Sequence, residues 1–82
     1  MMNVKIDNKA IKDLTKIDKK IATTIVAKIE KLVDFPQIAN IKKLKSFNPP
    51  FRLMVGNYRV LFDVEDNEIM VYMVRHRKNS YQ

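Results

Sequence analysis

All four arginines of this 82-residue chain, Arg52, Arg59, Arg75 and Arg77, lie in its C-terminal stretch beside His76, Lys78 and Tyr81, whereas eleven of the twelve lysines precede Phe51. The segregation has chemical meaning. Arg presents a planar, permanently charged fork that pairs with phosphate oxygens, while scattered Lys more often solvates a helix face. Fixed cations beside an aromatic side chain can hold a phosphate and stack the neighbouring base on a flat apolar partner. That chemistry needs a rigid surface under it.

The stretch FRLMVGNYRVLFDVEDNEIMVYMVRHRKNSY, residues 51–81, supplies one. It reads as three short strands joined by tight turns. Gly56-Asn57 between two apolar runs is a two-residue hairpin signal, because the favoured turns need positive φ and these residue types tolerate it. The turn places Val55 opposite Tyr58, Met54 opposite Arg59, Leu53 opposite Val60 and Arg52 opposite Leu61, and opposed residues share a face. Phe51, Leu53, Val55, Tyr58, Val60, Phe62 and Val64 then form one side. A second turn at Asp66-Asn67 adds Ile69, Val71 and Met73 to it, opposite Val64, Phe62 and Val60. The other side carries Arg52 and Arg59 as diagonal neighbours about 7–8 Å apart, with Met54, Leu61 and Tyr72 beside them. Two readings of this side stand: a phosphate-and-base site, or exposed arginines on a half-open sheet with Tyr72 closing the core.

The preceding chain supplies the cover for the apolar side. Met2, Val4 and Ile6 alternate with Asn3 and Lys5, the two-residue period of a strand over 2–6. Asp7 or Asn8 can cap a short helix whose Ala10, Ile11, Leu14 and Ile17 share a face. Asp18 caps a longer helix with Ile21, Ile25, Ile29 and Leu32 as its ridge, and Pro36 stops it near Asp34. These ridges are core stripes for the sheet that follows; the competing reading of a lysine-rich helix on an anionic membrane leaves that sheet uncovered. Residues 36–50 show no sustained period and are expected to form a connection, with a helical turn around Ile38 to Leu44. Lys42, Lys43 and Lys45 make a basic cluster in it.

The fold class expected is therefore α+β: an N-terminal strand, a two-helix antiparallel hairpin, then a three-stranded antiparallel meander completing a small sheet with the helices on one face. A chain of 82 residues is the length of a single domain, 1–82. Its net charge of +7 points to an acidic partner or serves solubility. No cysteine is present, which excludes disulfides and thiolate chemistry, and a lone histidine among scattered carboxylates gives no metal-ligand spacing. No cofactor is expected. The N-terminus MMNVKIDNKA lacks the continuous apolar region of a leader, and no run is long enough to span a bilayer, so the cytoplasm is the default location and no membrane partner is expected.

Leu44-Lys45, then Phe51-Arg52-Leu53, Gly56 with Tyr58-Arg59-Val60, an acidic turn, an aliphatic strand and the closing His76-Arg77-Lys78 with Tyr81 form an ordered set. By it the chain resembles the RelE/ParE toxin superfamily of type II toxin-antitoxin systems, and its RelE-like branch in particular. The resemblance covers essentially the whole chain, including the strand-helix-helix unit. It implies a ribosome-dependent mRNA endoribonuclease, an mRNA interferase that cleaves messenger in the A site by attack of the RNA's own 2′-hydroxyl, leaving a 2′,3′-cyclic phosphate and inhibiting translation. No metal is required. By position, Arg52 and Arg59 would hold the scissile phosphate and Arg77 would sit at the leaving 5′-oxygen. Tyr81 would stack on or orient the base, and Lys45 would touch RNA phosphates. Tyr72, Arg75 and Lys78 complete the expected RNA-binding set.

Met54 departs from the family pattern, which often places a basic residue there as general base. His76 or Tyr81 could take the proton instead, or positioning and electrostatics suffice; equally, His76 could merely hydrogen-bond neighbouring backbone. Ser46, where relatives often have Gly, is a milder departure. The resemblance also implies a cognate acidic antitoxin forming a toxin-antitoxin hetero-oligomer, besides ribosome and mRNA. Two alternatives stay open: a ParE-like toxin inhibiting DNA gyrase, and a catalytically silent module binding an acidic antitoxin.

Overall fold

The computed structural model describes residues 1–79. Strand β1 (Asn3–Ile6) leads into helix α1 (Asn8–Thr15) and helix α2 (Lys19–Glu30). Both helices begin where a carboxylate can satisfy a free amide. Asp7 accepts from the Lys9 amide and Asp18 from the Lys20 amide, each at 3.1 Å. A 3₁₀ turn, Lys31–Asp34, carries α2 to the stop that Pro36 imposes. Strands β2 (Ile41–Lys43), β3 (Phe51–Val55), β4 (Tyr58–Glu65) and β5 (Glu68–His76) follow, and a last 3₁₀ turn spans Arg77–Asn79.

The strands form one five-stranded sheet in the order β1-β5-β4-β3-β2, with β1 parallel to β5 and every other pairing antiparallel. The fold is the expected α+β arrangement with one strand more. Residues 41–43 are a strand, not part of a helical turn, and the meander has four strands rather than three. Asn40, at φ 66°, turns the chain into β2, its carbonyl accepts from the Met54 amide at 2.9 Å, and Ile41 packs against the core. Three residues with a single apolar position carry no readable period.

The β3–β4 register follows the expected one, from Val55↔Tyr58 to Phe51↔Phe62. Positive φ falls on the first residue of each two-residue turn, Gly56 at 57° and Asp66 at 56°. The β4–β5 register departs from expectation halfway along. Ile69 and Val71 oppose Val64 and Phe62, but Leu61 opposes Met73 and Val60 opposes Val74. Tyr72 is thus an extra residue, a β-bulge that reverses the alternation of everything after it. Val74, not Met73, enters the core.

The core is the helix-facing side of the sheet: Leu53, Val60, Phe62, Ile69, Val71 and Val74 meet Ala10, Ile25, Ile29 and Leu32. Phe62 stacks on Phe51 with centroids 5.3 Å apart, and Phe35 meets both rings edge-on. Beyond Val71, β5 has no β1 partner, because β1 pairs only as far as Ile6↔Val71. Asp13 of α1 fills part of that gap. One carboxylate oxygen accepts from the Val74 amide at 3.0 Å, and the other pairs with Lys9 Nζ at 2.5 Å. Removing the acceptor strands a half-buried amide. Asp13→Ala is therefore expected to cost about 1–3 kcal/mol, read as a lower urea midpoint at unchanged slope, with Asp13→Asn recovering most of it.

Candidate phosphate-binding face of the sheet

The side of the sheet away from the helices is built by alternation. On β3 it presents Arg52 and Met54, on β4 Arg59, Leu61 and Asp63, and on β2 Lys42, the partner of Arg52. On β5 the bulge puts Met73 and Arg75 there, opposite Leu61 and Arg59. Two rows result: Lys42, Arg52, Leu61 and Met73, then Met54, Arg59 and Arg75 one pleat nearer the Gly56 hairpin. Arg59 and Arg75 are direct cross-strand partners on one face. Two guanidinium groups so placed raise the positive potential at this end of the face.

The two predicted phosphate-holding arginines sit in different environments. Arg59 is half-buried, and its guanidinium donates to the carbonyls of Gly56 at 3.1 Å and Tyr58 at 3.0 Å, which anchors it at the hairpin. Arg52 is only 2% exposed. Its guanidinium donates to the Pro49 carbonyl at 2.5 Å and the Phe51 carbonyl at 3.2 Å, and it lies under the Phe47 ring at 5.4 Å. The loop between β2 and β3 covers it. Hence Arg52 is enclosed by the protein, whereas Arg59 and Arg75 are partly exposed.

His76 faces the other way. It opposes Tyr58, their rings meet edge-on at 5.3 Å, and both share the helix side of the sheet with Lys9, Asp13 and Lys16 of α1 lining the same cleft. Its Nδ1 accepts from the Lys78 amide at 3.3 Å. The neighbouring-backbone role is the one it fills here, and the bulge is the reason it does not join the arginines. Arg77 and Lys78 are exposed on the final turn, where the Arg77 amide donates to the Asn57 carbonyl at 2.7 Å. Lys45 is exposed in the β2–β3 connection, and Tyr72 is 39% exposed at the bulge. Tyr81 lies outside the described residues.

The face is electrically bipolar. Asp63, Glu65 and Glu68 occupy its other end, around the Asp66-Asn67 turn, and Glu68 pairs with Lys5 at 3.4 Å. A phosphate chain is repelled from that end and drawn to the hairpin end.

The chain matches the profile of the family described as "ParE toxin of type II toxin-antitoxin system, parDE" over residues 4–81, and it belongs to that family, within the RelE/ParE toxin superfamily. It is 40% identical over 42 residues to Toxin RelE3 of Methanocaldococcus jannaschii, a match covering 51% of this chain and 48% of the relative, so the matched region spans about half of that curated protein. Among solved structures it is similar to the toxin of a RelB-RelE antitoxin-toxin complex from Methanococcus jannaschii, with 29% identity, TM-score 0.76 and 93% of each chain covered. The isolated E. coli RelE toxin shares the fold at TM-score 0.73 and 19% identity, covering 93% of this chain and 84% of that one. A ParDE system from P. aeruginosa shares it at TM-score 0.67 and 17% identity, covering 93% and 96%.

The contrast between the two arginines is measurable in stability. Arg52→Ala removes charged hydrogen bonds from a buried site and is expected to cost about 2–3 kcal/mol. Arg59→Ala, nearer solvent, should stay within about 1 kcal/mol of the parent in the same urea titration.

Proposed function

We propose that the chain is the toxin of a type II pair and acts as a ribosome-dependent mRNA endoribonuclease in the cytoplasm. The observation that carries this reading is the Arg59–Arg75 pair, opposed on the solvent side of the sheet next to Arg52, at the basic end of a bipolar face. The similarity to Toxin RelE3 supports it.

The reaction is an internal transesterification. The 2′-hydroxyl gives its proton to water as its oxygen forms a bond to phosphorus, the bond to the 5′-oxygen breaks, and that oxygen takes a proton from water, so the products are a 2′,3′-cyclic phosphate and a 5′-hydroxyl. Arg59 and Arg75 bind the non-bridging oxygens and stabilise the charge that grows on them. Arg77, on the turn after β5, acts at the leaving oxygen by hydrogen bonding, since a guanidinium hardly gives up its proton. Met54, beside Arg59, can neither take nor give a proton, and His76 is on the far side of the sheet. Among the described residues the arginine face therefore has no near-neutral base, and the rate rests on alignment and charge. Tyr81 keeps the base-orienting role that the resemblance gave it. An acidic antitoxin fits the net charge of +7 and forms a hetero-oligomer with this chain, as antitoxin and toxin do in the RelB-RelE complex of a structural relative.

A second reading, inhibition of DNA gyrase, is favoured by the ParE family profile and by Met54. One experiment separates the two. Purified protein added to programmed ribosomes should give new messenger ends within the A-site codon by primer extension, lost in the Arg59→Ala, Arg75→Ala double variant. Intact messenger at high protein concentration rejects the nuclease reading and moves the test to gyrase supercoiling. In the same assay Met54→Lys, which restores a basic group beside Arg59, should raise cleavage about 10-fold or more while ribosome binding stays the same.

A further inference from the structure

We infer that Met54 is an oxidation site: a hydroperoxide converts its thioether to a sulfoxide, whose oxygen is then held by the Arg59 guanidinium. Three of the five methionines, Met54, Met70 and Met73, lie half-buried on the side of the sheet away from the helices. Met2 packs against the core, and Met1 is fully exposed. Partial exposure singles out none of the three. What separates Met54 is its neighbour across the strands.

Met54 opposes Arg59, whereas Met73 opposes Leu61 and Met70 opposes Asp63. The Met54 amide donates to the Asn40 carbonyl at 2.9 Å, on the side away from β4. In an extended strand the N–H and C=O of one residue point the same way, so Met54 and Arg59 exchange no backbone hydrogen bonds. Pairs of that kind bring their Cα atoms to about 4.5 Å and their side chains closest together.

Arg59 also has donors to offer. A guanidinium carries five N–H groups. Nη1 uses its two on the Gly56 and Tyr58 carbonyls, at 3.1 and 3.0 Å, which holds the group beside the hairpin. The three on Nε and Nη2 have no protein acceptor among the described residues. A thioether sulfur is a weak acceptor and draws little from them. A sulfoxide is polar, and its oxygen carries the partial negative charge with which a charged donor bonds more strongly.

In the oxidation a sulfur lone pair attacks the hydroxyl-bearing oxygen of the hydroperoxide. The S–O bond forms as the O–O bond breaks, and sulfur gives up two electrons. The leaving oxygen takes the proton that the transferred one sheds and departs as water or an alcohol. The modification and its contact stand apart from the RNA reading. Their consequence rests on it: the sulfoxide competes with the scissile phosphate for Arg59.

Protein treated with dilute hydrogen peroxide and digested should carry one added oxygen on Met54 soon after Met1 has reacted and before Met2 does. With isotope-labelled arginine, the Arg59 side-chain N–H resonances should shift and exchange more slowly with water, and return when the two epimer-specific sulfoxide reductases are added. Met54→Leu, which conserves volume and leaves Met70 and Met73 as controls, should show no such change. On programmed ribosomes the oxidised parent should cleave roughly 10- to 100-fold more slowly than the untreated protein, and peroxide should leave the rate of Met54→Leu unaltered. Met54 unmodified while Met1 is fully oxidised overturns the inference, as does a Met54 sulfoxide with the Arg59 resonances unmoved. An oxidised parent as fast as the untreated one overturns the hold on Arg59. Messenger left intact by the untreated parent removes the nuclease reading alone, and the masses and resonances still decide the modification.

Discussion

The extra residue at Tyr72 is the constraint on which the arrangement of the arginine face depends. Along a strand the side chains alternate, so a single inserted residue exchanges the faces of all that follow. Before the bulge Ile69 and Val71 point to the helices. After it Val74 and His76 do, and Met73 and Arg75 point away. Without the insertion, Arg75 would be driven into the apolar side and Val74 into solvent. The bulge thus serves packing and chemistry together: it completes the core with Val74 and sets Arg75 opposite Arg59.

Such a deviation must be supported, because it occurs where β5 has lost its β1 neighbour. Asp13 reaches from α1 to the Val74 amide and supplies the acceptor a further strand would have given. The Arg77 amide then ties the end of β5 to Asn57 in the opposite hairpin. Helix, bulge and hairpin are linked by these two hydrogen bonds, and the arginine pair lies between them. For the nuclease reading proposed above, precise placement matters more than it would with a strong side-chain base, since the face offers orientation and charge among its described residues.

The arginines divide the work by burial. Arg52, beneath Phe47 and against the Pro49 carbonyl, is part of the scaffold as much as of the site. Arg59 and Arg75 stay partly exposed on the same face. Carboxylates at the opposite end of the same face give it a direction, so that a polyanion meets repulsion at one turn and attraction at the other.

Much of this was legible in the chain itself. The Asp7 and Asp18 caps, the stop at Pro36, the Gly56-Asn57 turn and the β3–β4 register all follow from local rules of hydrogen bonding, dihedral preference and two-residue alternation, which act between near neighbours. The ordered arginine and basic motifs located the family. Three matters were decided only by the tertiary structure. The β2 strand exists because β3 offers an edge and the core accepts Ile41, neither of which a three-residue segment encodes. Arg52 is buried because the connection carrying Phe47 folds back over it. Arg75 rather than His76 joins the arginine face because a bulge is the compromise by which β5 satisfies β4, the core and α1 at once, and no alternation read along one strand contains those three demands.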